Sequence, residues 1–267
     1  MRYLLCSLLL SFSCSATQLA PWFESCLELY PYASYQLQQY DTVQTKFGSV
    51  PRGTVDHFLR LGIYSFYEVY AAELETAFAQ TKSNPFGFES AKLTLRYRWS
   101  DDLVGDFLSI VFGASYIQTV TERRDDISSF HHGNVEGEFF VTAGKEFSYR
   151  SFWCSRYWGL ASFGIADKGS PWIRGRIQYD YNQFDVHRYG IFLQTLVGLG
   201  SDKLDLDEPF RGYGPIQHRS IEIGAEYRYN SFCFGILTLE YKRRLFARSF
   251  PEDVNLFKLT YTYPFGI

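Results

Sequence analysis

The sequence predicts an all-β fold: a twelve-stranded antiparallel transmembrane β-barrel, with short turns at one end and longer loops at the other. Three observations carry this expectation. Apolar and polar residues alternate with a period of two through nearly the whole chain, which gives each strand two different faces. Hydrophobic residues make up 46% and aromatic residues 19%, yet mean hydropathy is only −0.18, so the apolar side chains are interleaved with polar ones. Beyond the N-terminus no run approaches the roughly 18 apolar residues of a spanning helix. Such a composition excludes a disordered chain, and a net charge of −3 gives no reason to expect nucleic acid as a partner.

Residues 1–20 have the order of a secretory signal peptide: Arg2, the apolar run from Tyr3 to Phe12, then the small residues Ser13, Cys14, Ser15 and Ala16. Cleavage is expected near Ala16 or Ala20, and Phe12 argues against lipidation at Cys14. Residues 21–267 form a single barrel domain, with no repeat and no linker. Its strands are expected near 28–41, 55–66, 68–81, 88–100, 105–121, 134–147, 153–167, 171–182, 186–200, 217–229, 232–246 and 253–265. The connections alternate in length. Long ones are 42–54, 82–87, 122–133, 168–170, 201–216 and 247–252; tight ones carry turn residues such as Ser100-Asp101-Asp102, Tyr149-Arg150-Ser151, Asn182-Gln183 and Asn230-Ser231. An even strand number with short periplasmic turns and longer extracellular loops is the pattern of outer-membrane barrels.

The two faces differ sharply. Ala91, Leu93, Leu95, Tyr97 and Trp99 share one face, and Lys92, Thr94, Arg96 and Arg98 share the other. At the short-turn end the even-numbered strands finish in Phe66, Tyr97, Trp99, Phe147, Tyr179, Tyr181, Tyr227, Tyr229, Tyr261 and Tyr263. A ring of half-polar aromatics suits a membrane interface, whereas a soluble sandwich has no reason to sort aromatics by strand parity. The polar face then lines a lumen with Glu73, Glu75, Lys92, Arg96, Arg98, Arg174, Arg176, Glu222, Glu226 and Arg228. Acids on one strand beside bases on the next will pair across the ladder. Either the lumen is locked by these pairs or it is a narrow polar pore whose charges select solutes.

The C-terminal run Phe257-Lys-Leu-Thr-Tyr-Thr-Tyr-Pro-Phe265 resembles the terminal strand by which the outer-membrane assembly machinery of Gram-negative bacteria selects its clients. Phe257, Leu259, Tyr261, Tyr263 and Phe265 occupy its alternating apolar positions, although Gly266 and Ile267 follow the aromatic that usually ends the chain. The resemblance implies the outer membrane as location, with its lipid and that machinery as partners. Twelve strands is also the number in several small outer-membrane channels, among them nucleoside-specific and acidic-oligosaccharide channels. Arg96, Arg98, Arg174, Arg176, Arg188 and Arg228 loosely resemble the arginine track of the latter, interrupted by Glu73, Glu75, Glu222 and Glu226. A porin-like channel for small polar or charged solutes is the function implied. The alternatives are a closed barrel acting through loops 42–54, 122–133 and 201–216 as an interaction or adhesion surface, and a lipid hydrolase without a recognisable motif.

No catalytic residue, cofactor or metal ligand set is expected. His131-His132-Gly133-Asn134 lacks the serine nucleophile of outer-membrane phospholipases. Asp185-Val186-His187 and Asp205-Leu206-Asp207 supply the residue types of outer-membrane proteases, but this topology puts them at opposite ends. Cys26, Cys154 and Cys233 remain after signal removal, an odd number in an oxidising compartment, and are candidates for a disulfide. A Cys26–Cys154 bridge would require the N-terminal segment to cross the barrel mouth; the alternatives are buried or lipid-facing thiols, or cross-links to envelope partners.

Overall fold

The computed structural model describes residues 19–24, 26–149, 152–231 and 234–266. The signal peptide expected over 1–20 falls outside them except for Leu19 and Ala20, as does Cys233. No described helix is long and apolar enough to cross a membrane.

Twelve long strands follow one another in chain order. They are β1 (Glu28–Thr45), β2 (Gly48–Tyr67), β3 (Tyr70–Gln80), β4 (Gly87–Ser100), β5 (Ser109–Thr119), β6 (Val135–Tyr149), β7 (Phe152–Ala166), β8 (Trp172–Gln183), β9 (His187–Gly198), β10 (Arg219–Ser231), β11 (Gly235–Arg248) and β13 (Asn255–Thr262). Each pairs antiparallel with its predecessor, and β13 pairs with both β11 and β1, from Tyr32 opposite Thr262 to Gln39 opposite Asn255, so the sheet closes. Two-residue strands extend β1 at either end: β12 (Pro251–Glu252) lies against Thr42 and Val43, and β14 (Phe265–Gly266) against Glu28 and Leu29. Closure leaves no unpaired edge.

The period-two pattern becomes an outside and an inside. Leu93, Leu95, Tyr97 and Trp99 are exposed, while Thr94 and Arg96 on the same strand are buried. The turn end carries a girdle of outward rings in contact, including Tyr70 with Tyr97, Tyr157 with Tyr179 and Tyr189 with Tyr227. Phe66 is a correction: it points inward, only 2% exposed, and Tyr67 takes the outward place. Phe66 shares its parity with Arg60, and an inward Phe23 stacks on it at 5.1 Å.

Two connections also differ from expectation. Residues 42–54 are not a loop: β1 and β2 continue as a paired ribbon to the two-residue turn Lys46-Phe47, with Thr45 opposite Gly48. Gly48, with φ 113°, supplies the left-handed turn conformation, and Pro51 sits opposite Thr42 within the ribbon. The β4–β5 connection runs over 101–108 rather than ending at Asp102, because Asp101 caps a short 3-10 turn by accepting from Leu103 N. Phe257, Leu259, Tyr263 and Phe265 are exposed on the terminal segment, which breaks between β13 and β14 at Tyr263-Pro264.

Inside the barrel several rings lie over glycines on the facing strand. Tyr32 faces Gly62, Phe140 faces Gly113 and Phe192 faces Gly224, and a Cβ on any of these glycines would lie 2.1–2.5 Å from the ring. These flat-lying rings narrow the lumen.

Candidate functional site

The middle of the lumen holds a cavity of about 340 Å³. Arg60, Lys92, Arg174, Arg176, Arg188, Arg228, Lys242 and Lys258 line it, against four carboxylates, Glu75, Asp180, Glu226 and Glu240. Register explains part of the set: Glu75 faces Lys92 and Glu240 faces Lys258. Some charges are firmly paired. Arg174 donates to Glu138 at 2.6 Å, and Lys242 and Arg244 converge on Glu222 at 2.8 and 2.6 Å. Others are not. Arg176 donates to the neutral Gln178 amide oxygen at 2.6 Å and lies 3.7 Å over the Phe192 ring. Arg188 lies 4.5 Å over Trp153. Neither has a carboxylate within ion-pair distance among the described residues. A smaller space of about 170 Å³ above this cavity shares Gln36, Arg60, Gln194, Lys242 and Leu256 with it.

The loop-end mouth is sealed. Connections 120–134, 199–218 and 249–254 fold over it and build an apolar core of Tyr40, Val43, Ile127, Leu204, Tyr213, Ile216, Phe250 and Val254. Tyr213 is fully buried and donates its hydroxyl to the Ile127 carbonyl at 3.0 Å. Phe250 packs between Phe130 and Tyr213, with ring centroids 4.8 and 4.7 Å away. Arg244 lies 4.2 Å under Phe250, which couples the seal to the Glu222 pairs below.

Three histidines are set into the base of this seal. His132 stacks on Trp172 at 3.8 Å, and its Nε2 lies 3.3 Å from Nε2 of His218, whose Nδ1 donates to the Ile216 carbonyl. Burial pushes His132 down to about 3 and His218 to about 4, so both are neutral at physiological pH. Burial would also lower His131, but the Glu136 and Glu89 carboxylates, 3.5 and 3.4 Å away, outweigh it and hold its pKa up at about 10. Neighbours in sequence thus carry opposite protonation states. No group among the described residues has the geometry to hold a metal ion.

The turn-end mouth is crossed by the N-terminal segment, Leu19–Glu24. Trp22 packs on Phe140, Trp158 and Leu160 and donates its indole N–H to Asp102 at 2.8 Å. Arg96 and Arg98 each lie 5.2 Å over Phe23, and Glu24 accepts from Arg228 at 2.9 Å. Leu19 and Ala20 reach the central cavity.

Of the residues singled out from the pattern, Glu75, Lys92, Arg174, Arg176, Glu226 and Arg228 border the central cavity, and Glu222 borders the space above it. Glu73, Arg96 and Arg98 lie nearer the turn end, Glu73 accepting from Tyr32 and Arg98 pairing with Asp101 at 2.8 Å. Sequence reasoning missed the aromatic partners of the arginines, the histidine cluster and both seals, since each depends on residues distant in the chain. Cys26 is an exposed free thiol; it is not bonded to Cys154, which is half-buried on β7. The N-terminal segment does cross the mouth, but it carries Trp22 there rather than Cys26. Asp185 lies in the β8–β9 turn and Asp205 in the 199–218 connection, at opposite ends of the barrel.

No protein-family model matches the sequence, and no curated protein matches it. Solved structures do match in fold. An outer membrane channel from Pseudomonas putida F1 superposes with a TM-score of 0.65 at 12% identity, over 94% of this chain and 100% of that one. The NanC porin follows with a TM-score of 0.53 at 7% identity, over 86% and 98% of the two chains. The KdgM porin gives 0.52 at 12% identity, over 87% and 99%. The fold is that of a twelve-stranded outer-membrane β-barrel.

Proposed function

We propose that this protein is a narrow, anion-preferring channel of the Gram-negative outer membrane, here with both mouths covered. The loop end is taken as extracellular and the turn end as periplasmic. The observation that carries this reading is the central cavity, where Arg176 and Arg188 are held by an amide and by aromatic rings instead of acids, while Arg174, Lys242 and Arg228 are paired with Glu138, Glu222 and Glu24 beside it. A charge without a counter-ion in a narrow, partly dehydrated space favours entry of a small solute of opposite sign. Cation–π and amide contacts orient the guanidinium groups without neutralising them. The channel folds of the structural neighbours support the reading, as does the KdgM porin structure in complex with oligogalacturonate. In this reading outer-membrane lipid surrounds the aromatic-girdled belt, and Phe257, Leu259, Tyr261, Tyr263 and Phe265 engage the assembly machinery.

A second reading, a permanently closed barrel, is favoured by the apolar core over the loop-end mouth. Single-channel recording of the refolded protein in a planar bilayer separates the two, with heat-modifiable gel mobility as the folding control. Discrete steps with anion preference are expected, and Arg176→Glu with Arg188→Glu should reverse that preference. A folded barrel that stays silent even with Trp22→Ala and a shortened 199–218 loop would overturn the channel.

A further inference from the structure

Outward-facing charge is scarce on the belt, so its clusters stand out. At the loop end of the β10–β11 hairpin, Arg219 and Arg248 are exposed and directly opposite each other in the ladder. Both continue the outward face set by Ile221 and Phe246, which are 39% and 49% exposed. Neither has a hydrogen bond or ion pair among the described residues. Arg243 joins them on the same face of β11, meeting only Asp253, at 3.4 Å, with both side chains more than half exposed. Like charges directly opposite in a ladder repel. An arginine pair of this kind is relieved by a planar or tetrahedral oxyanion that takes two parallel N–H bonds.

The surface directly below is apolar and concave. A groove of about 860 Å³ runs along the outer face beside Ile223, Ala225 and Tyr241, and another of about 660 Å³ begins on the far side of Ala225. Ile223 and Ala225 lie four and six residues from Arg219, roughly 13–20 Å down the strand at a rise of about 3.3 Å per residue. Both grooves run across neighbouring strands, the larger over β7 to β11, and both include β10 and β11 below the arginine pair. Cations above such an apolar belt match an amphiphile with an anionic head and a long hydrocarbon tail.

We propose that β10 and β11 form a specific site for a phosphorylated lipid. Arg219 and Arg248 hold the phosphate headgroup, Arg243, opposite Ile223, flanks the path of the chain, and an acyl chain lies in the groove beside Ala225. The site faces the membrane, not the lumen, so its failure would leave the channel reading untouched.

The full-length mature barrel, refolded in a neutral detergent, is titrated with phosphatidic acid, with phosphatidylcholine of the same acyl chains, and with inorganic phosphate. Lipid retained per barrel is read by native mass spectrometry. One phosphatidic acid should be retained at a concentration at least tenfold below that needed for phosphatidylcholine. Arg219→Gln with Arg248→Gln should abolish that preference, and Ala225→Trp should weaken retention severalfold by filling the groove. Inorganic phosphate should fail to compete at equal concentration. Equal retention of the two lipids, or a preference unchanged in the double variant, would overturn the proposal. Competition by inorganic phosphate at equal concentration would mean a free-anion site instead. Self-association of the barrel through this face without lipid retention would mean that the groove belongs to a second copy.

Discussion

The two mouths of the barrel are both covered, but by different physics. At the loop end the cover is made from the barrel's own connections, and its centre is apolar and fully buried: Tyr213, Leu204, Phe250 and Val43. At the turn end the segment Leu19–Glu24 enters the opening and reaches the central cavity, held by one packed indole, cation–π contacts and one ion pair. The first cover is cooperative with the fold, because removing it exposes a core. The second takes no part in the strand pairing. In the proposed channel the difference predicts where opening should begin: at the segment around Trp22, with the loop core limiting how wide the path becomes.

The largest expected effect is at the loop end. Tyr213→Ala removes a fully buried ring and leaves the Ile127 carbonyl without its donor, which should cost the seal about 3–5 kcal/mol. Limited proteolysis within 120–134 and 199–218 should then appear while heat-modifiable mobility is retained. If the barrel itself fails to form, the seal is not separable from the fold. Trp22→Ala should loosen the turn-end segment by about 3 kcal/mol, roughly a hundredfold shift toward release, and raise conductance with unchanged barrel stability. Unchanged conductance would show that the segment is not the restriction.

The response to pH should separate the covers further. His132 and His218 have pKa values pushed down to about 3 and 4, so the unfolded loops bind protons first. Their contribution is intact above the ordinary histidine value of about 6.5 and falls as pH drops from there toward 4 and 3. His131, held up at about 10, has the opposite sign: its contribution is full below about 6.5 and is lost as pH rises through 10. Hydrogen-exchange protection in 120–134 and 199–218, corrected for the intrinsic pH dependence of amide exchange, should therefore be highest near pH 6.5 and fall on both sides. Protection at Trp22 and Phe23, corrected in the same way, should stay flat from about pH 5 to 8, since no histidine packs on that segment among the described contacts and the Asp102 carboxylate that accepts from Trp22 stays ionised there. His218→Asn should remove part of the acid limb only. The smallest effect is at Arg228: Arg228→Gln breaks a pair with the partly exposed Glu24 and should cost about 1 kcal/mol, seen as a slight rise in open probability.

Much of this molecule was legible along the chain. Twelve strands, their order and the inward set of charges follow from period-two alternation, which is a local property: each residue's face is set by its neighbours two away. Leu93 and Arg96 declare their sides within a few positions. Where local chemistry misled, a partner strand overruled it. The stretch 42–54 is expected as a loop, but β1 and β2 pair through it and carry it as ribbon. Phe66 looked like a girdle residue because it ends a strand; the N-terminal segment gives it a buried partner that its position does not announce.

The sequence by itself determined the barrel, because alternation and an even count of paired strands admit only a closed sheet in a membrane, where no backbone group can be left unpaired. Only the tertiary structure decided what fills and closes it. Tyr213 meets Ile127 across 86 positions, His132 meets His218 across another 86, and Trp22 meets Asp102 across 80. No periodic pattern records such meetings. They arise because barrel closure brings distant loops and the N-terminal segment over the same two small openings, where buried rings and polar groups must find partners or lose water without compensation.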